Sequence, residues 1–216
     1  MFESAEVGHK LDKAEYEKEV PKLREALLAA QYDLFERGRF QAVALLSGIG
    51  GGGRSETANR LNEWMDPRHI RVHAFGPRTP EELARPGAWR YWRALPPTGR
   101  IGIFMNAWYR EALVERTAGR LTDAELDVLL QEIRREERTL PDEGVVLLKF
   151  WIHLPRAAQK KRIRALEADP KTRWRITSAD KRELKVYGKS HSVWEHVLRE
   201  SSTGNAPWYV VEGADE

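Results

Sequence analysis

The chain contains no cysteine. That absence excludes a disulfide framework, a thiolate nucleophile and any cysteine-ligated zinc or iron–sulfur centre. It also lacks a long apolar run. No stretch approaches the roughly 20 residues needed to span a bilayer, and Met1-Phe2-Glu3 does not begin a basic-then-apolar signal pattern. These features predict a soluble cytoplasmic protein with no membrane partner. Strong overall charge is missing too, since 36 basic residues against 33 acidic ones leave only +3. Net charge is therefore a weak argument for a polyanionic partner. Its distribution is more telling. Between Arg156 and Lys185 there are 11 Lys/Arg against 4 Asp/Glu, a local +7 that leaves about −4 for the remainder.

What is present suits a folded domain. At 216 residues and 41% hydrophobic content, the chain can bury a substantial core. After a polar leader, Pro21 opens a helical stripe with Leu23, Leu27, Ala30 and Leu34 on one face, ending near Gly38 and expected to pack on a core. Five apolar segments read as buried parallel strands: Phe40 to Ser47, His69 to Phe75, Arg100 to Phe104, Val145 to His153 and Trp208 to Val211. Helical patterns lie between most of them, including Thr57 to Trp64 and a charged amphipathic stretch from Thr122 to Arg138. Alternation of this kind predicts an α/β domain whose parallel sheet is covered on both faces. Pro77 to Pro97 reads as a loop with one short helix. The division expected is a leader and helix over 1–39, followed by an α/β domain over 40–216.

The chemistry-bearing feature is Gly48-Ile49-Gly50-Gly51-Gly52-Gly53-Arg54-Ser55, where the first strand hands over to a helix. It fits the spacing G-x-x-x-x-G-K-[S/T], with Arg54 in the lysine position. Glycines allow backbone N–H groups to turn around a phosphate, and the helix N-terminus presents further donors and a positive dipole end. A working loop uses its lysine on the β and γ phosphates and its Ser/Thr hydroxyl on Mg²⁺. Arginine keeps the charge but is bulkier and planar. On local sequence alone, a glycine-rich turn with no ligand is the alternative. A carboxylate is also expected near the end of a neighbouring strand, yet Ile103-Phe104-Met105-Asn106-Ala107-Trp108-Tyr109 offers none before Glu111. Met105 stands where the acid would be sought. Glu115 and Arg116 follow on a helix, as a functional pair or as an ordinary ion pair. The histidine pair His69 and His73 lies on a strand-like segment and is given no metal or catalytic role.

Phe104-Met105-Asn106-Ala107-Trp108-Tyr109 with Val114-Glu115-Arg116 resembles the FDRSWY and VER strings of the polyphosphate kinase 2 family. Lys149 to His153, Asp169-Pro170, Arg173-Trp174 and Ala206-Pro207-Trp208 are similar to that family's KFWLH, DPxKRW and APW, in the same order. The resemblance covers roughly residues 5 to 212. Phe2-Glu3, Leu11-Asp12-Lys13 and Arg60 to Trp64 look most like the N-terminal half of tandem-domain polyphosphate:AMP phosphotransferases. The resemblance implies a three-layer P-loop kinase-like fold with a five-stranded parallel sheet, and transfer of phosphate from polyphosphate to AMP, giving ADP, with Mg²⁺. It also implies a homo-oligomer or pairing with a second family domain.

The departures are specific. The family loop, near GxDAAGKGG, has Asp where this chain has Gly50 and Lys where it has Arg54, while the Asp and Arg of FDR become Met105 and Asn106. These losses predict no confident catalytic residue in this chain, and weak or absent metal binding at Gly50 and Met105. Phosphate binding is expected from Gly48, Gly50, Gly51, Gly52, Gly53, Arg54 and Ser55. By resemblance, a basic helical lid over about 154–200 carries Arg156, Lys160, Lys161, Arg162, Arg164, Arg173 and Arg175, with Arg116 also facing polyphosphate. Two rival readings exist. Basic residues and eight tryptophans could bind nucleic acid, although no such motif is present and no nucleic-acid partner is expected. A non-catalytic structural or regulatory domain that assembles with an active kinase domain is the stronger rival.

Overall fold

The computed structural model describes residues 1–214. Its first long element is α1 (Lys13–Arg37), which begins eight residues before Pro21. Asp12 sets that start, because its carboxylate accepts from the Ala14 amide as an N-cap. Pro21 falls in the third turn and forgoes only one backbone bond in a solvent-exposed stretch. Gly38 ends the helix in the left-handed region at φ 54°, its amide bonded to the Leu34 carbonyl. The apolar stripe packs only at its C-terminal end. Gln31 and Leu34 are buried, whereas Leu23 remains half exposed.

Five strands follow the expected segments to within one residue at either end: β1 (Gln41–Gly48), β2 (Ile70–Ala74), β3 (Ile101–Met105), β4 (Val145–His153) and β5 (Trp208–Glu212). All pairings are parallel and the order is β2-β3-β1-β4-β5. The intervening helices are α2 (Arg54–Trp64), the short α3 (Pro80–Leu83) and α4 (Trp89–Trp92), α5 (Tyr109–Thr117), α6 (Asp123–Asp142), α7 (Arg156–Ala168), α8 (Ser178–Lys185) and α9 (Tyr187–Ser201). The Pro77 to Pro97 segment thus carries two short helices rather than one. Thr79 and Thr122 each form a reciprocal capping box, with Glu82 and Glu125, fixing the starts of α3 and α6.

The main core lies on one face of the sheet. Val43, Leu45, Leu147 and Trp151 meet Leu126, Leu130 and Ile133 of α6 and Val193, Trp194, Val197 and Leu198 of α9. On the other face α2 supplies Ala58 against Leu46, Ile70 and Ile103. Covering of that second face is incomplete. Val146, Leu148, Tyr209 and Val211 share it by register and stay more than a third exposed. The leader packs against the sheet, with Phe2 2% exposed and stacked on His153, ring centroids 4.3 Å apart. His153 also bonds Glu6 through Nε2 at 2.7 Å, and His191 meets the same Phe2 ring edge-on. This cluster pins the N-terminal segment over the end of β4.

One buried charge ties several elements together. Lys149 on β4 is 0% exposed and donates to Glu137 of α6 at 2.8 Å and to the Ser201 carbonyl at the end of α9 at 2.7 Å. Glu137 also accepts from the Trp108 indole, so the pair is enclosed in a bonded network rather than left as bare charge. Burial holds the Lys149 ammonium below its usual pKa, with Glu137 acting in the opposite direction.

Candidate phosphate-binding site

The glycine loop lies between β1 and α2, at the carboxyl end of the central strand. Here chain order runs outward to β3 on one side and to β4 on the other, which is where open α/β sheets bind ligands. Glycine is called for by crowding at Gly48 and by backbone conformation at Gly53. Gly48 has φ 139°, and a Cβ there would stand 2.2 Å from the Ile152 carbonyl oxygen. Gly53, the N-cap of α2, has φ 105° with open space around it. Gly52 closes the turn by donating to the Ile49 carbonyl at 2.9 Å, while Ile49 donates to Ile152 at 3.1 Å. The first amides of α2, those of Arg54, Ser55 and Glu56, have no helical carbonyl to bond and point their positive dipole end toward the loop.

Arg54 does not reach into open solvent. Its Nη1 donates to Asn106 Oδ1 at 2.6 Å, just beyond β3. Asn106 adopts φ 54°, the sole non-glycine positive φ among the described residues, which brings its amide side chain to meet the guanidinium. Burial lowers the Arg54 pKa, while the carboxylates of Glu183 and Asp180 act to raise it and Arg110 to lower it further. Ser55 is exposed and Met105 is half-buried beside the α2 core.

Sequence reasoning missed the acids that face this loop. Glu183 of α8 accepts from the Gly50 amide through Oε1 at 2.8 Å. Asp180 Oδ1 lies 2.7 Å from where a Gly50 Cβ would stand, and the Glu183 carboxylate lies at 3.4 Å from the same point. The missing side chain at position 50 leaves the space that the Asp180 and Glu183 carboxylates of α8 approach. Gln159 of α7 is 0% exposed and donates to the Gly50 carbonyl at 3.0 Å. Burial pushes the Glu183 carboxyl above its usual pKa, opposed by the Gly50 amide and Arg54. A partial clue exists in Thr177-Ser178-Ala179-Asp180, whose capping box starts α8. Nothing in spacing alone joins residue 183 to residue 50.

The residues expected of a lid separate into two groups. Arg162 donates to the carbonyls of Gly51 at 2.7 Å and Gly213 at 2.9 Å, and Arg175 pairs with Glu56 of α2. These two join α7 and the following turn to the loop and its helix. Lys160, Arg164 and Arg173 are exposed and make no side-chain hydrogen bond or ion pair among the described residues. Arg116 is committed elsewhere, to Asp123 at 2.5 Å, and Glu115 pairs with Arg120 rather than with its neighbour.

The residues at the loop do not fit Mg²⁺. Gly50 and Met105 bring no oxygen ligand, and of the two acids that face the loop Glu183 is bonded to the Gly50 amide and Asp180 to Thr177, both beside the Arg54 cation.

A parallel sheet of this order, with a glycine loop leading from β1 to the N-terminus of α2, defines the class of P-loop phosphate-binding domains. The sequence matches the family described as Polyphosphate kinase 2 (PPK2) over residues 10–216. It is 50% identical over 216 residues to a Polyphosphate:AMP phosphotransferase of Pseudomonas aeruginosa, covering 100% of this chain and 44% of that one. It is 48% identical to the Polyphosphate:AMP phosphotransferase of Pseudomonas syringae pv. tomato, covering 100% and 43%. The crystal structure of Polyphosphate Kinase 2 from Arthrobacter aurescens TC1 superposes with a TM-score of 0.90 at 25% identity, covering 98% of this chain and 76% of that one. The chain belongs to the polyphosphate kinase 2 family. It spans less than half the length of these two curated relatives.

Proposed function

We propose that the protein takes part in transfer of a phosphoryl group from inorganic polyphosphate to AMP, giving ADP, and that this chain contributes a phosphate-binding loop with little turnover of its own. The single observation that carries this reading is the loop itself. Backbone donors and the α2 N-terminus converge at the switch point of a family sheet, but the site brings Arg54 and Asn106 in place of the family's lysine and arginine. Phosphate binding needs only the first of these, whereas transfer needs a metal and charges placed on the migrating group.

In this reading, Gly48, Gly50, Gly51, Gly52, Gly53, Arg54 and Ser55 hold phosphate, and Lys160, Arg162, Arg164, Arg173 and Arg175 line the polyphosphate path. Arg116 belongs to the same set, its guanidinium paired with Asp123 as that of Arg175 is with Glu56. In this reading the lid is narrower than 154–200. It ends with α8, because α9 has seven buried residues and belongs to the core. The degenerate loop, together with the 44% share of the Pseudomonas aeruginosa relative, supports reading the chain as one half of a tandem protein whose other half carries the chemistry.

A second reading is a non-catalytic structural or regulatory domain that assembles with another copy or a second family domain. One observation favours it: Val146, Leu148, Tyr209 and Val211 form an uncovered apolar face on the sheet. Polyphosphate titration of the purified chain separates the two. Saturable binding weakened by Arg54→Ala supports the phosphate-site reading, and failure to bind while an isolated active family domain is still recruited favours the structural one.

A further inference from the structure

One of the loop's backbone donors is already taken by an anion of the chain itself. A P-loop holds phosphate by pointing backbone N–H groups at an oxygen anion. Here the Glu183 carboxylate accepts from the Gly50 amide at 2.8 Å, with Arg54 supplying a nearby positive charge. Carboxylate and phosphate offer the same ligand to such a donor, a negatively charged oxygen at hydrogen-bond distance.

We infer that Glu183 is an internal phosphate surrogate, so that a phosphate ligand must displace α8 from the loop before it can occupy the site. This rests on the phosphate-site reading above and adds a specific competitor to it. Several contacts hold the competitor in place. The α8 capping box orients the helix, with the Asp180 amide donating to the Thr177 hydroxyl and the Asp180 carboxylate accepting from the Thr177 amide at 2.8 Å. Gln159 grips the Gly50 carbonyl from α7, and Lys181 of α8 pairs with Glu167 of α7. Gly50 gives room for the approach, since any side chain there would collide with Asp180. Opposing them are the exposed lid cations Lys160, Arg164 and Arg173, which gain nothing from Glu183 and are available to an incoming polyanion.

The arrangement also couples two positions that sequence comparison treats separately. Replacing Gly50 by the family's Asp would place a third carboxyl group among Asp180 and Glu183. Restoring the loop pattern alone therefore cannot restore the site while α8 remains docked.

The test is calorimetric titration of the chain with a short inorganic polyphosphate, comparing wild type, Glu183→Gln and Asp180→Asn, each first verified by thermal melting. Both variants remove one negative charge near the loop, but only the first removes the charge bonded to the Gly50 amide. Glu183→Gln should bind about tenfold tighter, the scale of one charged hydrogen bond, and Asp180→Asn by a clearly smaller factor. Hydrogen exchange of wild type should further show α8 losing protection when polyphosphate is added. Equal gains in the two variants would assign the effect to general charge and overturn the inference, as would binding that is indifferent to Glu183. Absence of binding in every variant would overturn the inference and the phosphate-site reading together, which distinguishes it from failure of the inference alone.

Discussion

Gly48 and Gly53 both sit at positive φ, yet a side chain at each meets different surroundings. At Gly48 the new Cβ would overlap the Ile152 carbonyl at 2.2 Å, whereas at Gly53 nothing lies within 4 Å. Gly48→Ala should therefore lose on the order of 3 kcal/mol or more, and Gly53→Ala only about 1–2 kcal/mol from backbone strain. Urea unfolding of the two variants measures the difference, and equal losses would mean that the loop relaxes away from β4. Glu183 allows a pH prediction. Its folded pKa lies above the unfolded value, so its contribution to stability is fully present below that unfolded value and is lost as pH rises through the raised folded pKa. Glu183→Gln does not titrate. Its melting temperature relative to wild type should be more favourable at pH 8 than at pH 5, and a constant difference would contradict the buried, charged carboxylate. Individual residues at the loop were legible in the sequence because glycine spacing encodes backbone conformation directly. Glu183 was not, because an acid on a charged helix looks the same whether it faces water or an amide 133 residues away.

At the scale of elements, the strands were readable because apolar runs ending in turn residues have few alternatives in an alternating α/β pattern. The start of α1 was misread, since Pro21 is also a good first-turn residue, and the weaker signal of Asp12 decided the matter. The Lys149–Glu137 pair, between β4 and α6, is the element-level feature with the largest expected energetic signature. Glu137→Gln leaves the Lys149 ammonium in the core without its counter-charge and should cost about 3–5 kcal/mol. The double change Lys149→Met with Glu137→Gln removes both charges, keeps an acceptor for the Trp108 indole, and should cost much less. A double-mutant cycle by denaturant unfolding reads the coupling, and additive losses would show that the two charges act independently. The capping box of α6 is expected to matter less. Thr122→Ala should cost about 1 kcal/mol, seen as a small shift in unfolding midpoint.

For the whole molecule, fold and family were legible together, because motifs spread from β3 to β5 specify both the sheet and the ancestry. The covering of the sheet was less legible. The β4 and β5 segments read as buried on both faces, yet Leu148 and Tyr209 look outward from a face that α2 does not reach. Composition cannot separate these cases, since a strand covered on both sides and one awaiting a cover have the same apolar character. The division between binding and chemistry also belongs to this scale. In the proposed reading the loop keeps backbone donors and the basic segment keeps its cations, while Gly50, Arg54, Met105 and Asn106 stand where the family pattern has groups that handle metal and the migrating phosphoryl.

The most direct test of that division is polyphosphate-dependent ADP formation from AMP by the purified 216-residue chain, run beside polyphosphate binding on the same sample. The expected result is saturable binding without appreciable turnover, with some activity appearing only when Gly50→Asp, Arg54→Lys, Met105→Asp and Asn106→Arg are combined with Glu183→Gln. Robust turnover by the unaltered chain, abolished by Arg54→Ala, would contradict it.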